Sequence, residues 1–402
     1  MRAPAGLLVA AWLAVFPAAA QTPVDAARLN RLLQRAVVLD LHDDTTQLMV
    51  DEGYDLAQRH DYGQVDIPRM RQGGATGIFF SIYTSPQRMT PPEAMKAALI
   101  QIDTVRGQIR RLSRDLVLAT TADDILAAKK QGKIAALLGL EGGHMIDSSL
   151  PLLRSYFELG VRYLTLTHSA NTPWADSSGD KPAHNGLTPF GREVIHEMNR
   201  LGMMVDISHV SDKTFYDVIE TSTVPVIASH SSCRAVSNAP RNMTDDMLRA
   251  LAKKGGVVHI NYYNGFLDDG YRQRSAALKD LDAKEAEMQK QFHNDPKQRS
   301  IAQRKLDAER TARAGKVPFQ KLIDHFDHAL QVAGIDHVGL GSDFDGVNDQ
   351  LPEGVDDISK IPSIARALLE RGYSDAEVEK VLGGNTLRVM REIERGARRS
   401  RN

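Results

Sequence analysis

His42 and Asp44 stand two residues apart at the end of an apolar run, Val37-Val38-Leu39-Asp40-Leu41. On an extended strand alternate side chains share a face, so an imidazole and a carboxylate would project together from the strand's carboxyl end. That pairing is half of a metal site. An isolated His-x-Asp is more often a strand running into a polar turn, but here the pattern repeats. Later apolar runs end at Glu141, His168, His209 and His230, and a last one carries Asp343. Zinc in hydrolases is held by imidazole nitrogen and carboxylate oxygen, with one position left open for water. His42, Asp44, Glu141, His209 and His230 suffice for two ions if Glu141 bridges them. Two adjacent metals lower the pKa of a shared water and polarise a carbonyl. Two Zn²⁺, two carboxylates and one hydroxide sum to about +1, which suits an anionic substrate or a developing oxyanion.

His168 and Asp343 are left over. A histidine beside a metal pair can donate to an oxyanion, and a carboxyl can carry a proton from water to a leaving amine. Each also has a bland reading as a buried polar residue satisfied by its neighbours. Gly339 and Gly341 share the strand face of Asp343 and are expected to leave room for a ligand there. His144 is expected beside the Glu141 bridge, and His259 in core packing. His196, His325 and His328 fall on helices, where surface placement is commoner.

The elements that must position these groups read as eight strands alternating with helices. The strand candidates are Val37–Asp44, Ala75–Tyr83, Ile134–Leu140, Tyr163–Thr167, Met203–Ser208, Val224–Ser229, Val257–Tyr263 and Val338–Asp345. Such alternation favours a closed parallel (β/α)8 TIM-type barrel over an open sheet, and in these barrels chemistry sits at the carboxyl ends of the strands. The expected fold class is therefore α/β. Between the seventh and eighth strands the interval Asn264–Ile335 is far longer than one crossover. Its middle, Ala276–Arg313, is rich in both signs of charge and reads as a solvated helical insertion or an oligomer contact.

At 402 residues, 42% hydrophobic and 25% charged, the chain can bury a large core, and its formal charge of −1 gives no global attraction to nucleic acid or an anionic membrane. Residues 1–20 read as a signal peptide: Met1-Arg2, an apolar stretch from Leu7 to Phe16, then small residues through Ala20. Cleavage there leaves 21–402 as a single catalytic domain, exported to the periplasm or secreted, with no cysteine at the junction to carry a lipid anchor. The single cysteine, Cys233, forms no intrachain disulfide.

His42-Asp43-Asp44, Glu141-Gly142-Gly143-His144, Leu166-Thr167-His168-Ser169-Ala170-Asn171-Thr172-Pro173-Trp174-Ala175-Asp176, Asp206-Ile207-Ser208-His209, Ser229-His230-Ser231-Ser232, Arg241-Asn242, Gly341-Ser342-Asp343-Phe344-Asp345-Gly346 and Gly383-Gly384-Asn385 closely resemble the motifs of the membrane (renal) dipeptidase family. They occur in the family's order over nearly all of the chain beyond residue 20. The resemblance implies a metal-dependent amidohydrolase barrel that hydrolyses dipeptides with two Zn²⁺ per chain. It implies that His42, Asp44 and Glu141 hold one zinc and that Glu141, His209 and His230 hold the other. It further implies that His168 steadies the oxyanion, Asp343 carries the proton, and Arg241 and Tyr263 meet the substrate. Broad dipeptide specificity is implied, as is tolerance of a D-residue at the carboxyl side and opening of certain β-lactams.

Three departures stand out. Leu41 and Asp43 replace the usual Gly and Asn around the first histidine, the vertebrate disulfides and lipid-anchor signal have no counterpart, and the charged insertion is distinctive, leaving room for a homodimer. The competing readings are another dinuclear barrel hydrolase, acting on N-acyl amino acids, cyclic amides, β-lactams or phosphoesters, and an exported binding protein with a vestigial metal site. Against the first, no lysine ends a strand candidate to serve as a modified bridge. Against the second, every ligand and both catalytic candidates are present.

Overall fold

The computed structural model of the chain describes residues 24–399; the expected signal peptide and its cleavage point lie outside the described residues. The strands are β1 (Leu39–Asp43), β2 (Gly77–Tyr83), β3 (Leu116–Leu118), β4 (Ile134–Glu141), β5 (Val161–Thr165), β6 (Met204–Asp206), β7 (Ile227–Ala228), β8 (Val257–Ile260) and β9 (Val338–Leu340). All pairings are parallel, and β2 closes on β4, so eight strands form a barrel in the order β1-β2-β4-β5-β6-β7-β8-β9. The ninth, β3, is absent from the sequence reading. It adds to β4 at Ile134–Ala136, below the level where β5 begins to pair, and takes no part in closing the ring. Three strand residues between Asp115 and Ala119 are too short to leave a pattern.

Alternate residues of β2 and β4 divide between two apolar clusters, as a barrel wall with an inside and an outside requires. Phe79, Leu137 and Tyr163 belong to one, joined by Leu387, Val389, Met390 and Ile393 of the carboxyl-terminal helix Asn385–Arg399. Ile78, Phe80, Leu138 and Leu140 belong to the other, against the surrounding helices. Strand ends lie at one level: Glu141, the last residue of β4, pairs with Tyr83 of β2 and Thr165 of β5. Polar side chains placed there emerge together at the barrel mouth.

The interval between β8 and β9 departs from expectation. It holds helices Asp269–Ala276, Lys279–Gln291 and Pro296–Ala314. They are not merely a solvated face, because Asp282, Glu285, Arg299, Gln303, Asp307 and Arg310 line the cavity at the barrel mouth. The insertion is tied down by the Arg304 guanidinium, which pairs with Glu52 at the end of the helix Thr45–Glu52 and stacks 4.6 Å over the Tyr62 ring. Its mixed charges pair largely within itself: Arg310 meets Asp282 at 3.2 Å and Glu285 at 3.4 Å, and Arg313 meets Asp280 at 2.6 Å.

Candidate metal centre

The Glu141 carboxylate lies at the centre of a converging set of imidazoles. Its Oε2 is 3.4 Å from His42 Nε2, while its Oε1 is 3.1 Å from His209 Nε2, 3.4 Å from His230 Nε2 and 3.8 Å from His168 Nε2. Asp44 Oδ2 approaches His42 Nε2 at 3.3 Å. The two oxygens of one carboxylate thus face two different ligand sets. Three groupings, His42/Glu141/His230, Glu141/His168/His209 and His42/Asp44/Asp343, each bring their donor atoms within 4.8 Å of one another.

Local structure sets each position. His42 lies on β1, but a register shift between Asp40 and Asp43 breaks the simple alternation, and Asp44 lies beyond the strand as the residue before the helix Thr45–Glu52. The expected pairing of His42 with Asp44 is therefore present but arises from a turn. His168 and His209 each follow their strands by three residues and His230 by two, in the loops rather than at strand ends. His209, Asp343 and Asp345 all take left-handed backbone conformations, with φ of 66°, 66° and 63°. Gly142, with φ of 119°, makes the turn expected after Glu141.

Surrounding hydrogen bonds orient the rings. Asp206 Oδ2 accepts from Ser229 Oγ and Thr165 Oγ1, both at 2.6 Å. With its proton committed, Ser229 Oγ accepts from His230 Nδ1 at 2.7 Å, which leaves the His230 Nε2 lone pair facing the centre. Tyr163 Oη lies 2.8 Å from His42 Nδ1 and holds that ring from within the barrel. His42 Nε2 is buried with no hydrogen-bond partner, and His209 Nε2 and His230 Nε2 are 2.9 Å apart. Buried imidazole lone pairs aimed at one another and at carboxylates fit cations and fit little else. Burial holds the His209 and His230 imidazoles well below the usual histidine range, toward the neutral form that ligates metal; Glu141, despite burial, is held well below the carboxylate range by His42 and His168.

Asp343 accepts from Asn261 Nδ2 at 2.9 Å, and burial, reinforced by Asp44 and Glu141, pushes its carboxyl up to about 8. Asp345 is turned elsewhere, accepting from the Gln64 backbone N–H at 2.7 Å and from Thr45 Oγ1. Since β9 ends at Leu340, the two acids share no strand face. The space expected beside Gly339 and Gly341 is filled: a Cβ at Gly339 would lie 2.4 Å from the His259 ring, and one at Gly341 2.0 Å from the Ser229 carbonyl. His259 itself is core, bonded to the Ala228 carbonyl and Thr386 Oγ1. His325, expected at the surface, is buried and accepts from the Cys233 backbone N–H at 3.0 Å, while His144 bonds Thr84 Oγ1 at 2.8 Å.

Arg241 donates to Ser231 Oγ and to the His230 carbonyl, both at 2.6 Å, while its Nε is buried without a partner; burial lowers the guanidinium to about 10. Tyr263 caps the short helix Asn264–Leu267, with its ring edge-on to Phe266 and its hydroxyl 3.5 Å from Gln350. Both line a cavity of about 910 Å³ that also receives Asp44, Glu141, His168, His209, His230 and Asp343. Tyr83, its ring tilted 53° against His168 at 4.7 Å between ring centres, lines it too and was missed from sequence, its place in the last position of β2 being the available signal.

The chain is similar to known proteins over nearly all of its length. Residues 26–402 match the membrane dipeptidase family, peptidase family M19. An uncharacterized dipeptidase of Schizosaccharomyces pombe, C965.12, is 34% identical over 388 residues, covering 91% of this chain and 83% of its own. The crystal structure of the probable dipeptidase PvdM from Pseudomonas aeruginosa superposes with a TM-score of 0.80 at 25% identity, covering 92% of this chain and 98% of that one. A metallo peptidase from Rhodobacter sphaeroides, liganded with a phosphinate mimic of the dipeptide L-Ala-D-Ala, gives a TM-score of 0.72 at 25% identity over 89% and 99% of the two chains.

Proposed function

The chain belongs to the membrane dipeptidase family, and from that premise we propose that it hydrolyses dipeptides with two zinc ions, one held by His42, Asp44 and Glu141 and the other by Glu141, His209 and His230. The observation that carries this reading is the split of the Glu141 carboxylate between two ligand sets. Imidazole nitrogen with carboxylate oxygen is the donor set of hydrolytic zinc sites, and it also accepts cobalt or manganese. When bound, the cations supply Lewis acidity to the scissile carbonyl and make water acidic enough to react near neutral pH.

The protein's own groups do the rest. His168, 3.8 Å from Glu141 and packed against the tilted ring of Tyr83, is placed to donate to the oxygen that gains charge as the carbonyl carbon becomes tetrahedral. Asp343, held by Asn261, takes the attacking water's proton and passes it to the departing nitrogen. Arg241, with an unpartnered Nε beside the centre, receives the terminal carboxylate of the substrate, and Tyr263 forms part of the same wall. A modified-lysine amidohydrolase is disfavoured because no lysine lines the cavity among the described residues.

The direct test is hydrolysis of a panel of dipeptides with and without chelator. Turnover that chelator abolishes and zinc restores is expected; chelator-resistant turnover, or none, would contradict the reading. Amidating the dipeptide's carboxyl terminus should cut kcat/KM sharply, since an amide cannot reproduce a charge-assisted contact with Arg241. Equal turnover of both forms would remove that role. We further propose export after cleavage at Ala20, with 21–402 acting as one domain without a nucleic-acid partner or stable membrane anchor and with a homodimer allowed. No helix among the described residues is long and apolar enough to cross a membrane.

A further inference from the structure

Arg88 and Arg299 both line the cavity, yet neither has a carboxylate within ion-pair distance among the described residues. Arg88 donates to Gln289 Oε1 at 3.1 Å, and Arg299 donates to the Phe292 and His293 carbonyls, both at 3.1 Å. They are close enough to repel each other and to act together on the half-buried Asp51, which also lines the cavity. Asp295, which caps the helix Pro296–Ala314, and Glu52, which is paired with Arg304, are nearby acids that do not line it. The cavity's other acids on this side are already taken up, Asp282 and Glu285 by Arg310 and Asp307 by Gln303 and Asn348. Two guanidiniums without carboxylate partners beside Asp51 therefore form an anion-receptive wall.

Its place in the barrel says which part of a substrate would meet it. Arg88 follows β2, whereas Arg241 is bonded to Ser231 and His230 just beyond β7. In the ring of eight, β2 and β7 are diametrically opposed. A dipeptide whose terminal carboxylate meets Arg241 must run across the centre with its first residue toward β2. Asp51 is two helical turns beyond Asp44, about 10 Å at 1.5 Å per residue. A long side chain on the first residue and an arginine reaching in from the wall together span that distance. The cavity, about 910 Å³, lies near the top of the ~300–1,000 Å³ range of small-molecule sites and has room for such a side chain.

We propose that Arg88 and Arg299 are specificity-determining residues that select dipeptides bearing an acidic side chain on the amino-terminal residue. The inference rests on the dipeptidase reading and on the Arg241 end of it. Arg299 comes from the insertion, so that segment contributes chemistry to the pocket as well as a wall.

The test compares Glu-Ala with Gln-Ala, which differ only in side-chain charge, and Ala-Glu with Ala-Gln as the matching pair for the second residue. The zinc-loaded wild-type enzyme should favour Glu-Ala over Gln-Ala about tenfold in kcat/KM, as a charge-assisted contact allows, and the ratio should shrink as salt is raised. In Arg88→Gln/Arg299→Gln the ratio should fall to about one, and in Arg88→Glu/Arg299→Glu it should invert. A wild-type ratio near one, with Gln-Ala turned over, overturns the inference and leaves the dipeptidase reading standing. So does charge discrimination confined to the Ala-Glu pair, or a ratio unchanged in the folded double variants. No turnover of any of the four dipeptides sinks the dipeptidase reading and the inference with it.

Discussion

Glu141 is the residue on which the centre turns, because its two oxygens face different histidines. Glu141→Ala should take metal content toward zero and abolish hydrolysis, whereas His42→Ala should mainly weaken one ion. Elemental analysis of the two purified variants checks this, and two tightly held ions in Glu141→Ala would exclude the bridge. Asp343 separates a working hydrolase from a metal-binding barrel. Asparagine keeps its shape but cannot shuttle a proton, so Asp343→Asn should retain both ions while kcat falls roughly 10²- to 10⁴-fold and KM moves much less. Asp345→Asn is the comparison, since Asp345 is committed to Gln64 and Thr45. A near-normal kcat in fully loaded Asp343→Asn would move the role elsewhere. The residue types of the centre were legible in sequence because metal ligation demands them. The orientation of Asp343 and Asp345 was not, since both lie in left-handed turns where strand alternation does not apply.

Among the elements, β4 and β5 show how small residues support the site. A Cβ at Gly139 would fall 1.9 Å from the Tyr163 ring, whose hydroxyl holds His42. Gly139→Ala should therefore cost about 1–3 kcal/mol of stability by overpacking and weaken metal binding at His42. Thermal melts with metal analysis would show it, and an unchanged Tm with full metal would refute it. In the insertion, burial pushes Asp307 up to about 6 from 3.8. A carboxyl with a raised folded-state pKa costs stability above that pKa, and the cost disappears as pH falls below the unfolded value. The Tm of Asp307→Asn relative to wild type should thus rise between about pH 4 and pH 7; a difference independent of pH would contradict the sign. The strands of the barrel were readable because each is a bounded apolar run, whereas three-residue β3 was too short to register. The insertion's charges looked solvated because sequence cannot tell a charge paired with its own hairpin from one facing water. Only the fold of that hairpin over the mouth reveals Arg299, Asp307 and Arg310 as cavity wall.

At the scale of the molecule, eight strands close because β2 pairs with both β1 and β4, and the pairing of β1 with β9 brings residues separated by some three hundred positions, Asp44 and Asp343, to one mouth. Strand-helix alternation made that closure expected, since consecutive parallel strands with helical crossovers have few other ways to bury both faces. The same convergence gathers buried carboxylates and imidazoles that repel or stay unsatisfied without cations. Chelation should lower the Tm, and added zinc should raise it in a concentration-dependent manner, because metal binds the folded state. The most direct measurement is reconstitution: metal-free enzyme titrated with zinc while hydrolysis of a dipeptide and bound metal per chain are followed together. The two-cation centre predicts activity that saturates at two equivalents in the wild type and never appears in Glu141→Ala. Full activity at one equivalent, or hydrolysis by the metal-free protein, would contradict it.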